Sequence, residues 1–397
     1  MLTSSHGYLQ IPLAADTSGA ALLQDANVQN AWGIALSPSG GPLWSVDAGS
    51  GVATRYLGNV AAGPFAADPP AISIPGISPT AIAFNQTGDF VVGTGNNAFP
   101  ALFLFASQDG TISGWASTPT LSSQAQTATT VSGAEFTGLA VATLSGGTGQ
   151  LYAADFHNAK IDVFNGSFSP VTLAAGAFTD PNLPTGYAPY NIQLINGQLY
   201  VTYGLQDAAK AQPQTGAGDG LVDIYNLDGT FSKRFVSNGG ALNAPWGLAV
   251  APGTPFGDFA NDLLVANSGD GHILAYDPTS GSLVGMLNNG PGTTQPLTIS
   301  GLHGIAFGNG ATVGDSSTLF YTAGSGQHGQ LGEIVNAFDQ PLVVVPTPIV
   351  ATEGATFSGT LATFNDSTTT DTASTFTALI NWGDGTSQTT GSVTANT

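Results

Sequence analysis

Gly247-Leu-Ala-Val250, Leu263-Leu-Val-Ala-Asn267 and the apolar run at 272–276 follow one another as three short strand-like segments, and this unit recurs six times between Trp32 and Phe338. The other first segments are Gly33-Ile-Ala-Leu36, Ala81-Ile-Ala-Phe84, Gly138-Leu-Ala-Val141, Ile192-Gln-Leu194 and Gly304-Ile-Ala-Phe307. The other second segments are Leu43-Trp-Ser-Val-Asp47, Phe90-Val-Val-Gly-Thr94, Leu151-Tyr-Ala-Ala-Asp155, Leu199-Tyr-Val-Thr-Tyr203 and Leu319-Phe-Tyr-Thr-Ala323. Third segments are expected at 52–57, 102–106, 160–164, 221–225 and 330–335. Five intervals separate Gly33 from Gly304, which gives a period of about 54 residues, slightly long for a four-stranded propeller blade.

The segments are nearly continuous apolar runs without in-out alternation. A sheet covered on both faces reads this way, and radially stacked blades cover both faces. Small residues at the start of the first segments suit strands that crowd around an axis. A two-sheet sandwich would alternate more cleanly. The chain is therefore read as an all-β, six-bladed β-propeller over residues 1–340. Residues 8–14, Tyr-Leu-Gln-Ile-Pro-Leu-Ala, are strand-like without a partner of their own and are expected to supply the outer strand of the sixth blade.

The 397 residues include 54 Gly and 24 Pro, only 8% are charged, and 42% are hydrophobic, a composition that suits a folded, turn-rich repeat protein. Twenty-five acids against five bases leave a net charge of −20. Without clustered Lys and Arg, nucleic acid and anionic membrane surfaces are excluded as partners, while cations and neutral glycans stay open. No Cys is present, so disulfides and thiolate metal sites are excluded. No apolar run is long enough to insert in a bilayer. Met1-Leu-Thr-Ser-Ser5 lacks the basic and apolar regions of a signal peptide, so an exported form is expected to have had its signal removed.

Beyond Phe338 the period stops. A Pro-punctuated linker at 341–348 leads into a Thr/Ser-rich segment, 349–397, that carries Glu353-Gly-Ala-Thr-Phe357 and Ala378-Leu-Ile-Asn-Trp-Gly-Asp-Gly-Thr386. The Trp382-Gly-Asp384-Gly stretch resembles the PKD and bacterial Ig-like modules of secreted proteins. About half of such a module fits before Thr397, so a partial β-sandwich is expected, with edges open to self-association.

In an antiparallel meander, the loop entering strand one and the loop joining strands two and three share one end. The entering loops bring Trp32, Glu135, Asn191, Trp246 and His303 to that face, and the two-three loops bring Asp47, Asp155, His157 and the long 204–220 stretch with Asp207 and Lys210. Trp32 and Trp246 flank the repeat that holds His303 and would form a stacking platform, so Trp32, Asn191, Trp246, His303, Asp207 and Lys210 are the candidate ligand-binding residues. Glu135, Asp155, Asn191, Asp47 and His303 are the candidate metal ligands. Their oxygen-rich set suits a divalent cation such as Ca²⁺. Asp at a strand end is also an ordinary turn former, and Trp an ordinary wedge between blades. No G-x-S-x-G elbow, H-E-x-x-H pair or glycosidase-like carboxylate pair is present, so catalytic residues stay unassigned.

Asn27-Val-Gln-Asn-Ala-Trp-Gly-Ile34, Ala188-Pro-Tyr-Asn-Ile192, Asn243-Ala-Pro-Trp-Gly-Leu248 and Leu319-Phe-Tyr-Thr-Ala-Gly324 with His328-Gly329 resemble an uncharacterised family of exported bacterial six-bladed propellers, often ending in a PEP-CTERM sorting signal. The resemblance implies fold and an extracellular or cell-surface location, and transfers no catalytic residue. His303 stands where that family's pattern has Trp. A broader likeness to NHL and gluconolactonase-type propellers implies a channel cation held by a Glu, Asn and Asp set, which Glu135, Asn191 and Asp155 would imitate.

Three functional readings follow. The first is a binding or surface-scaffold module that presents its acidic, aromatic-lined channel face to a glycan, a polymer or another surface protein. The second is a metal-dependent lactone or ester hydrolase with the metal at the channel mouth. The third is a subunit of an extracellular assembly joined through the incomplete C-terminal sandwich.

Overall fold

A computed structural model of the chain describes residues 7–337 except 60–62, 119–121 and 291–292, together with 343–347, 358–365, 373, 378–380, 382 and 389–394. The chain is all-β: no α-helix occurs among the described residues, and the first unit is a six-bladed propeller. Blade one comprises Ala31–Ala35, Leu43–Asp47, Val52–Asn59 and Gly63–Ala67. Blade four comprises Tyr187–Ile195, Gln198–Leu205, Gly220–Tyr225 and Phe231–Val236, and blade five Pro245–Val250, Leu263–Asn267, Ile273–Tyr276 and Leu283–Met286. Blade three pairs only three strands, Phe136–Thr143, Gly149–Asp155 and Lys160–Asn165.

Blade six is built from Leu302–Phe307, Leu319–Ser325 and His328–Asn336, and Tyr8–Ala15 completes it as an antiparallel outer strand, as expected. The closing strand is anchored at its start, where the fully buried Tyr8 donates its hydroxyl to the Phe256 carbonyl at 2.8 Å. Its N–H donates to Asn288 of blade five at 2.9 Å.

Blade two departs from the sequence reading. Pro79–Phe84 pairs directly with Phe103–Ser107, followed by Thr111–Trp115 and Gln126–Thr130. The stretch at 90–94 is not the second strand. Val91–Val92 pairs instead with Phe99–Pro100 in a separate two-stranded arm. Its apolar run is interrupted by left-handed backbone at Phe90 (φ 60°) and Gly93 (φ 85°), and at Gly93 a Cβ would lie 2.1 Å from the Asn97 carbonyl oxygen.

Each first strand contacts the first strands of its two neighbours, and the six close a ring. A cluster of buried side chains lies between each pair of adjacent blades. This is why the strands are apolar on both faces. Each fully buried Leu, Val or Phe contributes about 1.5–3 kcal/mol to holding two blades together. The small residues of the first strands mark close approaches at the axis: a Cβ on Gly247 would stand 2.4 Å from the His303 carbonyl oxygen of the next blade.

The second unit begins at Ala337. In it Val343–Pro346, inside the expected linker, pairs with Ala362–Asn365, and Ala378–Ile380 pairs with Thr389–Gly391. The Trp382 indole N–H donates to the Thr389 hydroxyl at 2.9 Å. The Gly-Asp-Gly part of the expected sandwich corner lies outside the described residues.

Candidate functional site

All six first strands carry a β-bulge near their start, where the first strand has one residue more than its partner. The residues at the bulges are Trp32, Thr80, Thr137, Tyr190, Trp246 and His303. A bulge bends its strand and re-aims a side chain. Here it brings the aromatic members together. Trp32 stacks on His303 with ring centroids 4.2 Å apart, and meets Trp246 and Tyr190 edge-on, each at 6.1 Å. The small threonines of blades two and three leave room, and the Trp246 indole N–H reaches past the axis to donate to the Thr137 carbonyl of blade three at 2.9 Å. Phe156 and three alanines pack beneath the rings and complete the cluster.

Trp32 and Trp246 are each 5% exposed and His303 is 7% exposed. The rings that the sequence places at one face are thus a buried plug across the propeller axis, not an open stacking platform. Burial pushes the His303 imidazole down to about 4, which keeps it neutral at physiological pH, and its Nδ1 has no hydrogen-bond partner among the described residues.

The five candidate metal ligands are not brought around one point: among the described residues, no group of three or more His, Asp or Glu is placed to hold a metal ion. Asp47 is fully buried within blade one, accepts from the Ser45 and Thr54 hydroxyls at 2.9 and 2.7 Å, and is pushed up to about 7 by burial. The carboxylate of Asp155 accepts the Glu135 backbone N–H at 3.1 Å and the Asn158 side chain at 2.7 Å, so it organises its own loops. Asn191 donates to the Trp246 carbonyl at 2.8 Å and accepts from the Ile192 N–H at 2.8 Å. Glu135 is only half-buried. Its carboxyl is pushed up to about 7, chiefly by burial; nearby His157 acts against the rise, and the Asp155 and Asp207 carboxylates add to it. In the 204–220 loop Asp207 caps its own turn by accepting the Ala211 N–H at 2.9 Å, and Lys210, exposed, takes left-handed backbone in that turn.

On the other side of the plug the first strands enclose an axial cavity of about 590 Å³. It receives residues from all six blades, among them Leu36, Phe84, Val141, Leu194, Trp246 and Phe307, and among the described residues no ionisable side chain lines it. Asn191 and Trp246 stand at its plugged end. Toward the loops that leave the first strands it gains Ser37, Gln86, Gln193 and Asn309. Each first strand is paired on one side only, so its other edge turns unpaired backbone N–H and C=O groups toward the axis. Between those polar ends the wall is therefore mainly apolar in its side chains and hydrogen-bonding along its backbone, and it is uncharged among the described residues.

Sequence reading located the plug residues and expected the ligand on their side; it did not single out Gln86, Gln193 and Asn309, which line the cavity on the other side. A signal for Gln193 exists. It occupies the place that Ala35, Ala83, Ala140, Ala249 and Ala306 hold in the other repeats, the one amide in an alanine series.

No family model matches the chain. Over 332 residues it is 35% identical to the uncharacterised protein R648 of Acanthamoeba polyphaga mimivirus, covering 78% of this chain and 75% of that protein. It is 34% identical over 306 residues to the uncharacterised protein L690 of the same virus, covering 71% and 74%. Among solved structures, a Bacteroides thetaiotaomicron protein of unknown function aligns with a TM-score of 0.49 and 11% identity, over 83% of this chain and 76% of that one.

Proposed function

This chain belongs to the family of the mimivirus proteins R648 and L690, and on that premise we propose that it is a non-enzymatic binding module that takes an uncharged ligand into its axial cavity. One observation carries the reading: in a protein of net charge −20, the cavity that all six blades build contains no ionisable side chain among the described residues. Its volume lies within the range of about 300–1,000 Å³ typical of small-ligand sites. The aromatic plug closes one end and makes the cavity a blind pocket instead of a through-channel. A propeller fold in general suits a binding or scaffold role, and here it supplies a rigid ring of walls.

The hydrolase reading would need Glu135, Asp155 and Asn191 to share one ion, and the internal hydrogen bonds of Asp155 and Asn191 favour binding over that chemistry. Bacterial export, a cell-surface location and assembly through the C-terminal segment belong to the same proposal. Their support is the sequence resemblance described above, while the relatives found are viral.

Affinity selection from a mixed small-molecule library, run in parallel on wild type and on Ala306→Phe, tests the cavity. Ala306 lines it and is partly exposed, so a Phe ring would occupy ligand space. Uncharged compounds retained by wild type and released by the variant are expected. Retention that ignores the substitution would place binding elsewhere.

A further inference from the structure

Resting on the cavity reading, we propose that the ligand is a neutral carbohydrate, taken end-on into the propeller axis and recognised by strand-edge backbone together with the side-chain amides of Gln86 and Gln193. A pyranose ring combines apolar C–H faces with a rim of hydroxyls, each able to donate and accept a hydrogen bond. The cavity offers the complement. Its side walls are Leu, Val, Ile and Phe from blades one, two, three, four and six, and the unpaired strand edges between them offer N–H and C=O groups in alternation.

The amides sharpen the class. Gln86 leaves the first strand of blade two and Gln193 belongs to the first strand of blade four, so the two stand about a third of the ring apart. Neither side chain is engaged in a hydrogen bond among the described residues, whereas Asn309 of blade six is spent tying its loop together, accepting the Ala311 N–H at 3.1 Å and donating to the Ser37 carbonyl at 3.4 Å. A carboxamide donates and accepts at once, as a hydroxyl does, and carries no charge. A purely apolar ligand would strand the six backbone edges without partners at a cost of about 1–3 kcal/mol for each group left unpaired. An anionic ligand would meet neither a cation in the wall nor an attractive field from so acidic a protein. At the plugged end Trp246 closes the floor.

The experiment is a panel of immobilised neutral, sialylated and sulfated oligosaccharides together with uncharged peptides, followed by calorimetry of the bound members in solution. Wild type is compared with Gln86→Ala, Gln193→Ala and Ala306→Phe. Gln86 is exposed and its substitution leaves the core untouched, so folding does not confound that arm. Expected are binding of neutral glycans only, about tenfold weaker binding in each glutamine variant, and loss of binding in Ala306→Phe. Binding of peptides or other uncharged compounds that Ala306→Phe abolishes, with no glycan bound, overturns the carbohydrate assignment and leaves the cavity reading standing. Glycan binding indifferent to all three substitutions overturns both, as does the absence of any ligand sensitive to Ala306→Phe.

Discussion

The indole N–H of Trp246 in blade five donates to the backbone carbonyl of Thr137 in blade three, 2.9 Å away and two blades distant. The bond ties together blades that are not neighbours in the ring, and it lies at the point where six β-bulges converge. Trp246→Phe keeps most of the ring and deletes the donor, leaving a buried carbonyl unpaired. A loss of about 1–3 kcal/mol in chemical denaturation is expected, against about 3–5 kcal/mol for Trp246→Ala, which also leaves a cavity.

Close packing at the axis gives a second expectation. Gly247→Ala drives a methyl group onto the His303 carbonyl and is expected to cost about 1–3 kcal/mol, whereas Gly88→Ala, where nothing stands within 4 Å, stays within about 0.5 kcal/mol of wild type. Equal denaturation midpoints for the two variants would contradict the ring of touching first strands.

The closing strand is the third. Tyr8→Ala removes a fully buried ring and its hydrogen bond to Phe256, and a loss of about 3–5 kcal/mol is expected by denaturation. Deleting residues 1–15 uncovers the edge of His328–Asn336, and light scattering is expected to report concentration-dependent association through that edge.

Buried titratable groups set opposed pH dependences. The folded-state value of His303 is depressed to about 4 from an ordinary value of 6.5, so the folded protein binds fewer protons there than the unfolded chain. This group's contribution is present above pH 6.5 and is lost as pH falls toward 4. Asp47 is raised from 3.8 to about 7 by burial, so its contribution is present below pH 4 and is lost as pH rises through 7. Between pH 4 and 6.5, His303→Phe is therefore expected to fall in stability with rising pH more steeply than wild type, and Asp47→Asn less steeply. Melting temperatures across that window distinguish the two.

Much of the fold is legible in the chain because blade strands are buried on both faces, which writes the repeat into the sequence as apolar runs led by small residues. Closure by residues 8–14 follows from an unpartnered strand at the start of a ring. Blade two was misread because hydropathy cannot see the left-handed backbone at Phe90 and Gly93 that turns the run out of the blade. The site was legible in part. Topology alone gathers Trp32, Trp246 and His303 at one end, but whether such rings open to solvent or close on one another depends on bulges, which leave no hydropathy signature. The acids at strand ends read equally as ligands or as turn formers; in the structure the Asp155 carboxylate is engaged by its own loops and that of Asp47 by the Thr54 hydroxyl inside the blade.

The most direct test of the axial cavity as the binding site is a crystal structure of the protein with the tightest uncharged compound retained in affinity selection. Electron density inside the ring, between the Trp246 plug and the amides of Gln86 and Gln193, is the predicted result. Density on the opposite face, among Glu135, His157 and Asp207, with the cavity empty, would contradict it.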